Sequence, residues 1–215
     1  MFVGNCSKDV MNGCIKKLSE GVYEGIDDIK NVYLQILFKA IVEVSKQYYY
    51  TENPESATNE TIEQLERIFA YELYYQWSIL QSNYNNTIPD EYKRIINGEI
   101  RKQMSGVNKY PDMVLHKGQY DIHHQEIVVE IKRKVAINGD NVAQDIVKLT
   151  HFMSEGFLGC GASPFNVGVL ILTNGSENDI KEQLELIKDE SINQEIYCVF
   201  CNGDDSLRYI TLNEI

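Results

Sequence analysis

The sequence has few of the residues that break or cross-link a chain. Four prolines and five cysteines occur in 215 residues, and the cysteines, an odd number, are scattered from Cys6 to Cys201. A disulfide framework is therefore a poor interpretation, and reduced, buried thiols are expected. The Cys198/Cys201 pair has the spacing of half a zinc site, but in a strand this spacing points the two side chains to opposite faces, so burial is the stronger expectation for it as well. The low proline content, with 43% hydrophobic and 24% charged residues, excludes a disordered or collagenous chain and predicts a packed globular protein.

Long apolar runs are also missing. The longest purely aliphatic stretch, residues 169–172, is far shorter than the roughly 20 residues that span a membrane. The first eleven residues carry Asn5, Ser7, Lys8 and Asp9 where a signal peptide would have an apolar core. We therefore expect no membrane segment and a cytoplasmic location.

Positive charge is scarce, which ordinarily counts against nucleic-acid binding. The chain has 20 Lys and Arg side chains against 32 Asp and Glu, a net charge of −12. The deficit is uneven, because residues 91–151 hold ten basic and eight acidic side chains and the remainder holds ten and twenty-four. The middle of the chain is thus electrostatically distinct, although an ordinary solvated surface also accounts for this asymmetry.

Hydrophobic periodicity predicts an α/β protein with a mixed sheet. Apolar residues at spacings of three and four predict helices over 29–48 and from Thr58 or Asn59 through Leu80, and Pro89 and Asp90 end this helical half. Short strands are then predicted at 94–102, 113–116, 126–134, 167–172, 196–200 and 207–212, with helices around 142–153 and over 178–188. This length and order predict one compact domain overall, with residues 1–57 as a helical extension packed on a core formed by 58–215.

Two acidic residues are predicted to meet on neighbouring strands. If the turn between the second and third strands is centred on Asp121, Asp112 lies opposite Glu130 with Cβ atoms about 5 Å apart. Strand alternation places Lys132 on the same face as Glu130. The apolar neighbours Met113, Val129 and Ile131 then turn towards the core.

Two facing carboxylates repel each other unless a cation lies between them, and their hard oxygens suit Mg²⁺ or Mn²⁺. A nearby ammonium group, that of Lys132, can hold a water molecule or stabilise charge on a phosphate. The pattern therefore favours metal-assisted phosphodiester hydrolysis. The alternative is a surface hairpin whose Asp, Glu and Lys make ordinary cross-strand ion pairs.

This arrangement resembles the PD-(D/E)XK nuclease superfamily, which has the restriction-endonuclease-like fold. The motif is matched by Pro111-Asp112 and, after seventeen intervening residues, by Glu130-Ile131-Lys132. Its second half alone also fits at Asp28, Glu91 and Asp179, but only the pair at 112 and 130 lies on adjacent predicted strands. The αβββαβ order of the superfamily core is predicted from about residue 58 to residue 173, roughly half the chain.

The resemblance implies a set of site residues. Asp112, Glu130 and the Ile131 carbonyl would bind Mg²⁺ or Mn²⁺, and Lys132 would position the attacking water. A further acid would come from the helix before the sheet, where Glu72 is the candidate, or from Glu99 on the first strand. Glu72 can instead pair with Gln76 on the polar side of its helix.

The helix after the hairpin supplies auxiliary candidates. Gln144, Lys148 and His151 share one helix face, with Asp145 alongside, and resemble the polar residues that related nucleases place beside the active site. Lys148 is positioned to touch a substrate phosphate. A merely solvated helix face is the alternative for each of them.

Aromatic side chains cluster on the helix that carries Glu72. Tyr71, Tyr74, Tyr75 and Trp77 are able to stack on bases, although core packing is the stronger expectation for such a series.

These patterns together predict a metal-dependent nuclease acting on nucleic acid, with DNA as the expected polymer. Two alternatives stay open: a catalytically silent binding or assembly module with the same fold, and a hydrolase of small phosphoesters. Association into a homodimer is compatible with each.

Overall fold

The computed structural model of the chain describes residues 26, 29–50, 59–98, 111–118, 121, 123–133, 141–154, 163–187, 192, 194–202 and 207–212. The described α-helices are α1 (Val32–Glu43), α2 (Asn59–Asn85), α3 (Asn141–Ser154) and α4 (Glu177–Leu186). The described strands are β1 (Ile95–Gly98), β2 (Met113–His116), β3 (Gln125–Arg133), β4 (Val167–Thr173), β5 (Ile196–Cys201) and β6 (Arg208–Thr211).

The described strands form one mixed sheet in the order β1-β2-β3-β4-β5-β6. Strands β1, β2 and β3 are antiparallel neighbours, β3, β4 and β5 run parallel, and β6 is antiparallel to β5. Parallel neighbours need long crossover connections, and α3 and α4 lie in the two crossovers. The prediction of an α/β protein with a mixed sheet flanked by helices is confirmed.

Helices cover both faces of the sheet. On one face α1 and α2 pack around a core that includes Phe38, Phe69 and Trp77. On the other face α3 and α4 contribute Leu149 and Ile180 to a second core. All seven residues of β4 are buried, as its unbroken aliphatic run predicts for a central strand covered on both sides.

The helix boundaries differ from the prediction mainly in α1. Asn31 caps this helix, because its side chain accepts hydrogen bonds from the backbone N–H groups of Tyr33 and Leu34. The helix ends at Glu43 rather than near residue 48, since Val44 takes an extended backbone and Lys46–Tyr48 form a separate 3-10 helix.

None of the described helices is long and apolar enough to cross a membrane.

The predicted register of the central hairpin is confirmed where β2 and β3 pair. Met113 lies opposite Val129, and Leu115 opposite Ile127. The pairing shifts after Leu115 because His116 lies opposite Gln125, a β-bulge that the sequence did not indicate. The first strand is described only over Ile95–Gly98, and residues 99–102 of its predicted span lie outside the described residues.

Both described cysteines are buried in β5, on opposite faces of the sheet. Cys198 packs in the core beneath α3 and α4, and Cys201 in the core beneath α1 and α2. Burial raises the pKa of the Cys198 thiol. Two side chains on opposite faces cannot ligate one ion, which favours the structural interpretation of this pair.

Candidate active site

The motif residues meet where β2 begins beside β3. The Asp112 backbone N–H donates to the Val129 carbonyl at 3.1 Å, and the Ile131 N–H donates to Asp112 Oδ2 at 2.7 Å. The Asp112 carboxylate is thus held against β3, beside Glu130, as the hairpin register predicts.

Glu130 is a buried carboxylate with a neighbouring cation. Only 1% of the residue is exposed, and its Oε1 lies 2.7 Å from Lys148 Nζ of α3. Burial and the Asp112 carboxylate raise the pKa of Glu130 well above its usual range. Burial also raises the pKa of Asp112, against the lowering effects of the Ile131 N–H and of Lys132. Removing two neighbouring acids from water is unfavourable, so this pair favours a bound cation.

Lys132 is held between two further acids. Its Nζ lies 3.5 Å from Asp145 Oδ2 of α3 and 3.6 Å from Glu66 Oε1 of α2. Burial lowers the pKa of Lys132, but the surrounding carboxylates more than offset this effect and raise it above the usual value. The ammonium group therefore stays charged beside Asp112 and Glu130.

Glu66 is a site residue that the sequence prediction missed. Burial raises the pKa of its carboxyl to about 7, although the Lys132 ammonium opposes that change. Glu66 also lines the same cleft as Asp112. No signal in the sequence singles it out, because α2 has several acids and the rotation of the helix against the sheet decides which one faces the site.

The predicted helix acid, Glu72, is not brought to this cleft by the described structure. Its Oε1 accepts a hydrogen bond from Gln76 Nε2 at 2.7 Å, which is the alternative pairing expected from their spacing. Six residues separate it from Glu66, a rotation of roughly 240° about the helix axis, so the two acids face different directions. The competing candidate, Glu99, lies outside the described residues.

The auxiliary candidates on α3 divide into two groups. Lys148 and Asp145 belong to the site, because Lys148 pairs with Glu130 and Asp145 pairs with Lys132. Gln144 and His151 are exposed side chains of the same helix. The predicted phosphate contact of Lys148 therefore competes with its pairing to Glu130.

A cleft of about 420 Å³ opens beside Asp112, between α2 and the ends of β1 and β2. Its described lining consists of Glu66, Arg67, Ala70, Tyr71, Tyr74, Asn97, Gly98, Asp112, Met113 and Ile131. The volume lies within the range of small-molecule sites.

The donor atoms at this place suit a hard divalent cation. Asp112 and Glu130 provide carboxylate oxygens, and the described residues include no group of three or more His, Cys, Asp or Glu arranged for a metal ion. Magnesium commonly binds through one or two carboxylates and completes its coordination with water and phosphate oxygens. The Asp112 and Glu130 carboxylates fit that pattern.

No family model, curated protein or solved structure matches this chain.

Proposed function

We propose that this protein is a metal-dependent nuclease of the PD-(D/E)XK type that hydrolyses phosphodiester bonds, with DNA as the expected polymer. The observation that carries the proposal is the hydrogen bond from the Ile131 N–H to the Asp112 carboxylate. This bond keeps Asp112 beside Glu130 while Lys132 extends from the same strand. The three motif side chains thus come from one pair of hydrogen-bonded strand segments.

The order of the elements supports the same assignment. Helix α2, the antiparallel strands β1 to β3, helix α3 and the parallel strand β4 follow one another as αβββαβ. This is the order of a restriction-endonuclease-like core. In this interpretation α1 and the segment from α4 to β6 are additions to that core.

Asp112, Glu130 and the Ile131 carbonyl would hold Mg²⁺ or Mn²⁺. When bound, such an ion supplies Lewis-acid stabilisation of the charge that develops on a phosphate. The chain provides the rest of the chemistry. Glu66 and Asp145 hold the Lys132 ammonium beside the two acids, where it can orient a water molecule.

Glu66 takes the place of Glu72 as the third acid in this proposal, and Glu99, which lies outside the described residues, stays a candidate. A carboxyl whose pKa lies near 7 exchanges its proton readily at neutral pH, which suits general acid–base work. Its contact with Lys132 places that exchange next to the ammonium group. Gln144 remains an auxiliary candidate through its position on α3.

Cleavage of labelled DNA with and without Mn²⁺ tests the proposal. We expect Glu130→Gln and Lys132→Met to abolish Mn²⁺-dependent cleavage and Glu66→Gln to reduce it at least about a hundredfold, the lower end for loss of a general acid or base. Glu72→Gln, on the same helix but directed elsewhere, is the matched control and should retain activity. Circular dichroism establishes that each variant is folded. Unchanged cleavage by folded Glu130→Gln and Lys132→Met would contradict the assignment.

A second candidate is a catalytically silent binding module with the same fold. The observation that favours it is the contact of 2.7 Å between Lys148 and Glu130, since this ammonium already neutralises the buried acid without a metal. Wild-type protein that binds no Mn²⁺ and cleaves no substrate would support the module. Cleavage of small phosphodiesters but of no polymer would instead support a small phosphoester hydrolase.

A further inference from the structure

The cleft beside Asp112 has an aromatic wall. On α2, the cleft-lining residues Arg67, Tyr71 and Tyr74 follow at spacings of four and three, so they share one helix face. Glu66 lies on the same wall and contacts Lys132. The aromatic surface is therefore continuous with the group of acids around Lys132.

The tyrosine rings on this wall are unusually open to solvent. Tyr71 is 68% exposed and Tyr74 is 41% exposed. The expectation that these aromatic residues belong to the core is correct for buried Trp77 but wrong for the tyrosines. Tyr75 is also exposed, at 58%, but it does not line the cleft.

The charge around the cleft is unfavourable for binding the phosphate backbone of a nucleic-acid duplex. Its described lining has one cation, Arg67, against the two carboxylates of Glu66 and Asp112. Duplex binding depends largely on several Lys and Arg contacts to phosphates, whereas an unpaired strand also gains affinity by stacking its bases on aromatic rings. Exposed tyrosines with few cations therefore favour unpaired bases.

We propose that the substrate is single-stranded nucleic acid, with an unpaired base stacked on Tyr71 and Tyr74 next to the phosphate at Asp112. The cleft, at about 420 Å³, suits a single nucleotide. Cleavage of that strand rests on the proposed nuclease function. Binding of the strand rests only on the exposed rings and the cleft.

Fluorescence anisotropy of a labelled oligothymidylate, measured in Ca²⁺ or EDTA to prevent cleavage, tests the binding directly. We expect tighter binding of the single strand than of the same strand annealed to its complement. Tyr71→Ala and Tyr74→Ala should each weaken binding at least about fivefold, the lower range for loss of one stacked base. Tyr71→Phe should bind like wild type because it keeps the ring.

Tyr75→Ala is the matched control, because it removes an exposed ring of the same helix outside the cleft. We expect its affinity to stay within about twofold of wild type, since it loses no stacking in this geometry. Equal or tighter binding of the duplex, or unchanged binding by Tyr71→Ala and Tyr74→Ala, would overturn the inference. The inference would also be overturned if Tyr75→Ala lost as much affinity as Tyr71→Ala and also changed the protein from dimer to monomer. The exposed tyrosines of α2 would then join two copies of the chain.

The two proposals fail in different ways. If tyrosine-dependent binding of the single strand persists but no DNA is cleaved in Mn²⁺, the nuclease assignment fails and the stacking inference stands. If Glu130-dependent cleavage occurs on duplex DNA and is insensitive to Tyr71 and Tyr74, the stacking inference fails and the nuclease assignment stands.

Discussion

At the scale of single residues, Glu66 has the most informative environment. It is a largely buried acid that lies 3.6 Å from the Lys132 ammonium, and burial outweighs that attraction. Such a group binds its proton more tightly in the folded chain than in the unfolded chain. The stability of the protein should therefore depend on pH through this carboxyl.

The sign of that dependence follows from the raised pKa. The carboxyl titrates near 4.5 when unperturbed and at about 7 in the folded chain. Below pH 4.5 the Glu66 carboxyl is protonated in both the folded and the unfolded chain. As the pH rises through the window from 4.5 to about 7, the unfolded chain releases this proton first. Wild type should therefore lose stability relative to Glu66→Gln as the pH rises through the window, and the difference should level off above it.

Thermal melts of wild type and Glu66→Gln in EDTA, recorded across the window, measure this difference. Glu72→Gln controls for the loss of a carboxylate from the same helix. A difference between wild type and Glu66→Gln that does not change with pH would show that the Glu66 environment is wrongly assigned.

The pair formed by Lys148 and Glu130 gives a second prediction. Removing Lys148 takes away the cation that opposes the raised pKa of Glu130, so the acid must either stay charged without a partner or take up a proton. Loss of one partner of a buried ion pair costs about 3 kcal/mol or more. We expect Lys148→Met to destabilise the metal-free protein by that amount in urea unfolding, and Mn²⁺ to restore part of the loss by neutralising Glu130.

Lys181→Met is the matched control, since Lys181 pairs with Glu177 at the same distance of 2.7 Å but both side chains are about half exposed. Loss of such a surface pair should cost less than about 1 kcal/mol. If Lys148→Met is no more destabilising than Lys181→Met, the buried pair lacks the role assigned to it.

The residues of the site were predictable to different degrees. Strand alternation and hairpin register place Asp112 beside Glu130, because the period of a strand is two and leaves little freedom. The position of Glu66 depends instead on how far α2 is rotated against the sheet. That rotation comes from packing of Phe69, Leu73 and Trp77, which the helical pattern does not specify in advance.

At the scale of elements, α3 packs closely on β4 at Gly168. A Cβ added to Gly168 would lie 2.8 Å from Met153 Sδ and 3.2 Å from Ile196 Cγ1. The absence of a side chain thus lets α3, which carries Lys148 and Asp145, lie close to the sheet.

Gly168→Ala should therefore overpack this contact and destabilise the protein by about 1 to 3 kcal/mol in urea unfolding. Gly118→Ala is the control, because a Cβ there would meet no atom within 4 Å. Equal stability of Gly168→Ala and Gly118→Ala would contradict this prediction and would mean that the Met153 and Ile196 side chains yield to the added methyl group without cost.

Element types were more predictable than their ends. The aliphatic run of β4 and the spacing of apolar residues in α3 both lead to the observed element. The end of α1 was not predictable, since residues 44–48 continue the apolar pattern while the backbone leaves the helix at Val44. The bulge after Leu115 was also missed, because a one-residue shift leaves no trace in the alternation of so short a strand.

At the scale of the whole molecule, charge and architecture act together. The chain has a net charge of −12, yet Lys132 and Lys148 are both held by acids at the site. A divalent cation would add the positive charge that a phosphate requires. The exposed tyrosines of α2 would add affinity that does not depend on charge.

Calorimetric titration of Mn²⁺ into the full chain tests most directly the claim that Asp112 and Glu130 together hold a cation. Wild type is predicted to bind Mn²⁺, and Asp112→Asn and Glu130→Gln are predicted to lose that binding while keeping their folded circular dichroism spectra. Glu72→Gln should bind like wild type. Equal Mn²⁺ binding by wild type, Asp112→Asn and Glu130→Gln, or no binding by wild type, would contradict the claim.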